Sequence, residues 1–368
     1  MTSGSDEDPA YLREQLITYL GNKRALLPFV GAAVARVRAA AGRERLRAWD
    51  AFGGSGVVSR ALKRHCSLLV FSDLEPYAAE GARCYLANRD EVDLGRVERA
   101  RRRVLAAWER PREGFIARLY APRDDARIAL GERAFYTREN AMRIDTFRQA
   151  IDGEGADLRP FLLAPLLAEA SVHANTAGVF KGFYKDKATG VGRFGGTNSD
   201  ALTRICGPIT VPSPVFSRHA CEVMVREGDA VALARTLPEL DLAYLDPPYN
   251  QHPYGSNYFM LNLILDYVEP AAVSAVSGIP PGWRRSVFNR ARASRGALDA
   301  LLRATPARFA LVSYNSEGFV GLEEMLDLLA AHGEVSVFER GYNTFRGCRN
   351  LRARSARVTE YLFLVARR

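Results

Sequence analysis

A five-residue strand candidate, LRAWD at 46–50, runs directly into Ala51-Phe52-Gly53-Gly54-Ser55-Gly56 and then into VVSRALKRH, which has helical spacing. SLLVFSD follows, a second apolar run that ends on Asp73, and then a helical stretch through about Asn88. Strand, glycine turn, helix, strand and acid in this order form a βαβ unit. Such a unit commits the chain to a parallel sheet covered by helices. Apolar runs return after Pro214, in CEVMVREGDA, DLAYLDPPY, ARFALVSYN, GEVSVFER and TEYLFLVAR. The reading is an α/β, Rossmann-like domain with a mixed, mostly parallel seven-stranded sheet, split in sequence over 13–90 and 205–368. Residues 91–204, rich in Arg, Ala and Leu, read as a mainly helical insertion, and residues 1–12 as a disordered tail.

Composition narrows the class. A 368-residue chain that is 48% apolar buries a large core, and its formal charge of +9 favours an anionic partner such as nucleic acid. Codon bias toward Arg explains the same excess, since Arg far outnumbers Lys. Cys66, Cys84, Cys206, Cys221 and Cys348 are scattered without a CxxC pair, which argues against a disulfide framework and a zinc site. His173, His219 and Cys348 read as packing residues, and no metal is expected. No apolar run is long enough to span a bilayer, and MTSGSDEDPA is unlike a signal peptide. A cytoplasmic protein without a membrane partner is expected.

Two motifs carry chemistry. Glycines between a strand and a helix let the backbone turn tightly and approach a ligand. A tight βα loop would need them too. Asp73 ends the next strand about 20 residues on, where nucleotide sites place an acid for the ribose hydroxyls. The pattern is not GxGxxG, so an adenosine-bearing ligand other than NAD is favoured. The second motif is Asp246-Pro247-Pro248-Tyr249, at the end of the apolar run LAYL. The prolines fix φ and remove two N–H donors. A carboxylate and the Pro247 carbonyl can together accept hydrogen bonds from one exocyclic amino group, and Tyr249 offers a flat face to a base. Two acceptors stabilise the charge that develops as such a nitrogen attacks.

These motifs, with YLGNKRALLPFV (19–30), DAFGGSG (50–56), SDLEPY (72–77), EGDA (227–230) and LDPPY (245–249), resemble the DNA adenine methyltransferases of the Dam-like, alpha-ordered group. The C-terminal FRGCRN…EYLFLV resembles a late hairpin of those enzymes. The resemblance covers roughly 17–90 and 215–368 and implies an S-adenosylmethionine-dependent methyltransferase fold, with S-adenosyl-L-homocysteine as product. It implies cofactor contacts from Gly21, Asn22 and Lys23, from Asp50, Phe52, Gly53, Gly54, Ser55 and Gly56, from Asp73 and Leu74, and from Asp229, Ala230 and Asp246. Lys23 would reach either DNA or the methionine carboxylate, Asp73 the ribose, and Asp229 the adenine amino group, while Asp246 to Tyr249 would hold the flipped target base. Two departures stand out: Gly-Asn replaces the usual glycine pair before Lys23, and Asp73 is followed by Leu-Glu-Pro-Tyr, so Glu75 could share or replace the ribose contact.

Other residues carry two readings each. Asp229 is a cofactor acceptor or an N-cap, and Lys23 with Arg24 functional or an exposed helix start. Asn250, His252 and Asn257 clamp base or backbone, or satisfy loop carbonyls. Tyr258 and Phe259 lead into a core helix. Arg101, Arg102 and Arg103 form a solvated face. Lys181, Lys185, Lys187 and Arg193, interleaved with Phe183, Tyr184 and Phe194 in a Gly-rich loop, suit phosphate contacts and base stacking. Arg346, Arg349, Arg352 and Arg354 form a second basic cluster. The expected activity is methylation of adenine in duplex DNA by base flipping, in a restriction-modification or phage-defence system, with the insertion as target-recognition region and a cognate endonuclease or defence subunits as further partners. The alternatives are cytosine, RNA or a protein glutamine as substrate, or a catalytically idle DNA-binding subunit.

Overall fold

The computed structural model describes residues 7–196, 201–343 and 357–367. Seven strands form one sheet: β1 (Leu46–Asp50), β2 (Cys66–Asp73), β3 (Glu222–Glu227), β4 (Leu240–Leu245), β5 (Ala307–Asn315), β6 (Gly333–Asn343) and β7 (Arg357–Arg367). Their order is β3-β2-β1-β4-β5-β7-β6. β7 runs antiparallel to β5 and β6, and every other pairing is parallel. Each apolar run of the sequence lies on one of these strands, so the mixed, mostly parallel sheet is present as expected.

The chain winds from β1 out to β3 and returns to β4 on the other side of β1. The switch point therefore lies between β1 and β4, where Asp50 sits beside Tyr244 in register. Connections leave such a point toward opposite faces and open a crevice at the carboxyl ends of the strands. Side chains alternate between two cores. Ala48, Leu69, Phe71 and Leu242 enter one, and Trp49, Val70, Ala243 and Leu245 the other. Helices cover both faces, which is why all six residues of β4 are buried.

The segment expected as an insertion includes the helices Leu94–Ala106, Phe115–Tyr120, Arg138–Ile151 and Arg159–Val172. Their Val97, Ile144, Leu162 and Leu166 join the same core as Leu69 and Phe71. Arg148 caps the end of helix Phe259–Asp266, donating to the carbonyls of Ile264 (2.8 Å) and Leu265 (3.0 Å). Tyr267 donates to Asp145 at 2.7 Å. These helices are thus one wall of the sheet's own covering layer. Arg101 and Arg102 pair with Glu98, and Arg103 with Glu154, forming the solvated face expected of them.

Residues 7–12 depart from the reading of 1–12 as a tail, and residues 1–6 lie outside the described residues. Pro9–Arg13 is a helix capped by Asp8, and Tyr11 is 1% exposed. The Tyr11 hydroxyl donates to the Tyr85 carbonyl at 2.7 Å. The buried Arg60 guanidinium donates to the carbonyls of Tyr11, Glu14 and Gln15. A polar composition suggested fraying, and one aromatic anchor with one buried arginine overrides it. Among the described residues, no helix is long and apolar enough to cross a membrane.

Gly53 has a packing reason of its own, because a Cβ there would lie 1.9 Å from the Phe71 ring. Gly53→Ala is expected to lose about 1–3 kcal/mol of stability by urea denaturation. Gly31→Ala, in helix Leu27–Ala41 where a Cβ meets nothing within 4 Å, should gain about 0.5–1 kcal/mol.

Candidate active site

The crevice at the switch point is a cavity of about 840 Å³, counting its open mouth. The turn after β1 gives it Asp50 to Ser55, β2 ends at it with Asp73, and β4 ends at it with Asp246 and Pro248. Gly21, Asn22 and Lys23 enter from the N-terminal segment, and Leu74, Asp229 and Ala230 complete the far side. Asp246 and Gly54 therefore open onto one space. Gly56, Pro247 and Tyr249 are not part of this lining. Gly56 caps helix Val57–Lys63 with φ +75°, and the Tyr249 hydroxyl is 3.6 Å from a Cβ built on Gly21.

The glycine turn is held by an acid. Gly54 donates its N–H to Asp73 Oδ2 and Glu75 donates its N–H to Oδ1, both at 2.8 Å. Gly54 has φ +53°, and a Cβ on it would press on Tyr19 at 3.0 Å. Glu75 accepts from Asn262 at 2.8 Å and also lines the cavity. Asp229 is the N-cap that one of its readings expected. It caps helix Ala230–Ala234, accepting from Val231 (3.0 Å) and Ala232 (3.1 Å), and it faces the cavity.

Lys23 is 5% exposed, and its ammonium lies 3.2 Å from Asp246 Oδ1 and also pairs with Glu360 of β7. Burial alone would push Lys23 down, but the two carboxylates hold it well above its ordinary value. The reading of Lys23 as an exposed helix start is corrected: the ion is internal. The segment that carries it is clamped by aromatic rings. Tyr19 stacks against both Tyr254 (4.8 Å) and Tyr258 (4.7 Å), which lie 5.9 Å from each other, and Tyr258 accepts the Leu20 N–H at 2.7 Å.

Five carboxylates line the cavity (Asp50, Asp73, Glu75, Asp229 and Asp246) against the cations Lys23 and Arg284. Burial raises Asp50 and Glu75 to about 7 and Asp73 and Asp246 to about 6. Neighbouring acids add to this, Asp246 and Asp73 acting on Asp50 and Glu360 on Asp246. Asp50 accepts from Ser59 at 2.6 Å with one oxygen, while Oδ1 is buried with no partner among the described residues.

Sequence reading missed Tyr19, Tyr254, Arg284, Ser286 and Asn289, all in the lining. The last three belong to GWRRSVFN, which has no periodicity. Arg284 donates to the Leu74 carbonyl (2.7 Å) and to Glu227 (2.6 Å), and Asn289 donates to the Asn250 carbonyl at 2.9 Å. Phe288 packs edge-on against Phe52 at 5.2 Å. The one available signal was topological: this segment crosses from β4 to β5 at the strand-end edge.

The residues expected at DNA lie outside the cavity lining. Lys181, Lys185 and Lys187 are exposed, and Tyr184 and Arg193 half-buried. Lys185 and Gly192 pair in an antiparallel bridge, Asp186 ties the turn through Ala188 and Thr189, and Lys185 lies over Phe183 at 4.7 Å. Phe180 donates to the Asn257 carbonyl at 2.7 Å, which fixes this loop to the segment after Asp246-Pro-Pro-Tyr. Asn250 accepts the N–H of the exposed His252 at 2.9 Å, a local loop contact. Arg346, Arg349, Arg352, Arg354 and Cys348 fall outside the described residues, as does FRGCRN.

A crevice of this kind, at this place in a seven-stranded sheet, is where an α/β transferase holds a nucleotide-bearing cosubstrate. Comparison with known proteins makes the class specific. The chain belongs to the D12 class N6 adenine-specific DNA methyltransferase family, whose family model matches residues 19–275. It is 29% identical over 324 residues to the type II methyltransferase M.CviAII of Paramecium bursaria Chlorella virus 1, covering 86% of this chain and 89% of that one. It is 26% identical over 361 residues to M.NlaIII of Neisseria lactamica, covering 95% and 99%. To M.FokI of Planomicrobium okeanokoites it is 25% identical over 270 residues, covering 70% of this chain and 38% of that one.

The raised acids set a pH dependence. Between its ordinary and its raised value, each acid keeps in the fold a proton that the unfolded chain has released, so stability falls as pH rises through that window. Asp50→Asn should therefore leave the ligand-free protein less sensitive between about pH 5 and about pH 8, and more stable at the upper end by about 1–4 kcal/mol. Urea midpoints at the two pH values measure this.

Proposed function

We propose that the protein transfers a methyl group from S-adenosyl-L-methionine to the 6-amino group of an adenine flipped out of duplex DNA, within a restriction-modification or phage-defence system. One observation carries this reading: the Asp246 strand end and the Gly54 turn open onto the same acid-lined cavity. The two relatives matched over most of their length are type II methyltransferases, which supports a restriction-modification setting.

The residues fit the donor. When bound, S-adenosylmethionine supplies an electrophilic methyl on a sulfonium and leaves as S-adenosylhomocysteine. The unpartnered Asp50 Oδ1 is suited to accept from its ammonium group. Glu75 is suited to share the ribose hydroxyls with Asp73, whose two oxygens each hold one backbone N–H group and keep a second lone pair. Asp229 and Leu74 border the space for the adenine ring. A cavity bordered by carboxylates favours a cationic ligand.

At the rim, Asp246 and the Pro247 carbonyl receive the target amino group, and Tyr249 stacks on its ring. Lys23 holds one Asp246 oxygen and thereby orients the other. The base must leave the stack to reach this depth. Its nitrogen lone pair then forms the N–CH₃ bond as the S–CH₃ bond breaks, and the extra proton on nitrogen departs to solvent. Catalysis is largely positioning and charge stabilisation. The loop 181–196 and the helices of 91–172 form the target-recognition surface, with Lys181, Lys185, Lys187, Arg193, Asn250 and His252 at DNA and the cluster around Arg346 and Arg349 as a further phosphate contact. A cognate endonuclease completes the system.

Isotope-labelled S-adenosylmethionine, duplex DNA and nucleoside mass spectrometry test the reading, with N6-methyladenine expected. Label in cytosine alone would overturn it. Asp246→Asn is expected to lower the single-turnover rate by about 10²–10³-fold while calorimetry shows cofactor binding retained. Lys185→Ala and Lys187→Ala should each lower the salt slope of DNA binding by about one, without changing which base is modified.

A further inference from the structure

Glu360 lies on β7, far outside the residues matched by the family model. It is 1% exposed. Its Oε1 pairs with the Lys23 ammonium and accepts from Ser313 of β5 at 3.1 Å. Its Oε2 has no hydrogen-bond partner among the described residues. The contacts make a line, Glu360 to Lys23 to Asp246, that runs from inside the sheet to the cavity. A single salt bridge to Asp246 would need no second buried carboxylate, and taking one out of water is unfavourable.

Charge balance supplies a reason. The attacking nitrogen becomes positive, so the group that receives it must stay negative. Lys23 alone would cancel Asp246 and present a neutral pair. A second carboxylate behind Lys23 restores the net negative charge without crowding the amino group. Resting on the reading that Asp246 receives the amino group, we propose that Glu360 is a positioning residue for methyl transfer. Through Lys23 it fixes Asp246 and keeps the three-residue group net anionic toward the reacting nitrogen.

The other groups facing Asp246 are Asp50 from β1, Tyr244 from β4, Ser313 from β5 and Tyr254 after the Pro-Pro turn. They stay in place when Glu360 or Lys23 is changed. Two neutralising substitutions must then act on Asp246 with opposite signs. Glu360→Gln removes a negative neighbour and makes Asp246 ionise more readily. Lys23→Met removes a positive one and does the reverse.

The test is the pH dependence of the single-turnover rate, using the full chain, S-adenosylmethionine and duplex plasmid DNA. Glu360→Gln should lower the plateau rate by about tenfold, leave S-adenosylmethionine affinity unchanged and move the acid limb to lower pH. Lys23→Met should move that limb to higher pH, and the double variant should lie between. Glu360→Asp, which keeps the charge, should recover part of the rate. A packing role for Glu360 would not produce opposite shifts. Wild-type rate and limb in Glu360→Gln, or shifts of the same sign in both single variants, would overturn the proposal. Should Glu360→Gln not fold, adding it to Lys23→Met leaves no unpaired buried charge at that pair and must still lower the limb. A wild-type protein that does not methylate adenine would instead sink the functional reading.

Discussion

An ammonium ion inside a protein has to be met by charge, and Lys23 is met twice, by Asp246 and by Glu360. Taking such an ion out of water costs several kcal/mol, and leaving it with a missing partner costs more than the pair is worth. The three residues come from the N-terminal segment, the end of β4 and the middle of β7. One buried ion therefore fixes how parts of the chain separated by hundreds of residues meet. The rings of Tyr254, Tyr19 and Tyr258 work on the same segment by dispersion and stacking, about 0.5–1.5 kcal/mol per pair beyond burial. Charge sets the register of the segment and the rings hold it flat against the cavity.

The same cavity is held in a state that a bare fold would avoid. Asp50, Asp73, Glu75 and Asp246 are all raised by burial, and each of them also by a neighbouring acid. Water-filled and ionised, such a set repels itself. A cation seated among the carboxylates relieves that repulsion and stabilises the fold by mass action. Sites that tolerate this kind of cost are functional sites more often than structural ones. Lys181, Lys185 and Lys187 stand outside the cavity and exposed, and the acids stand inside it.

The sheet was legible because its signals are local. Strand runs, the glycine turn and the acid at the end of β2 are contiguous in sequence and survive without tertiary information. Asp246-Pro-Pro-Tyr was legible because a carboxylate and two prolines past a buried run have few structural explanations. The helix Pro9–Arg13 was not, since its order comes from Tyr11 and from Arg60, a residue far along the chain. Arg284, Ser286 and Asn289 were invisible for the same reason: their segment has no period, and only the crossover from β4 to β5 brings it to the cavity. Glu360 reads in sequence as one polar residue in a strand, TEYLFLV, and nothing local says that it faces a lysine.

Structural and functional readings of a residue were less opposed than the sequence made them look. Asp229 caps a helix and borders the cavity, Gly53 is a glycine because Phe71 leaves no room, and Asp73 holds the turn that a ligand would approach. The cause is the geometry of strand ends. A βα turn leaves N–H groups unsatisfied at the point where the sheet opens, and the nearest acceptor is an acid at the end of a neighbouring strand. Glu75 follows Asp73 by two residues, binds Asn262 with one oxygen and has the cavity beside it. Asp73 thus builds the turn as well as bordering the cavity, so a substitution there acts on the turn before it can be felt on anything the crevice holds.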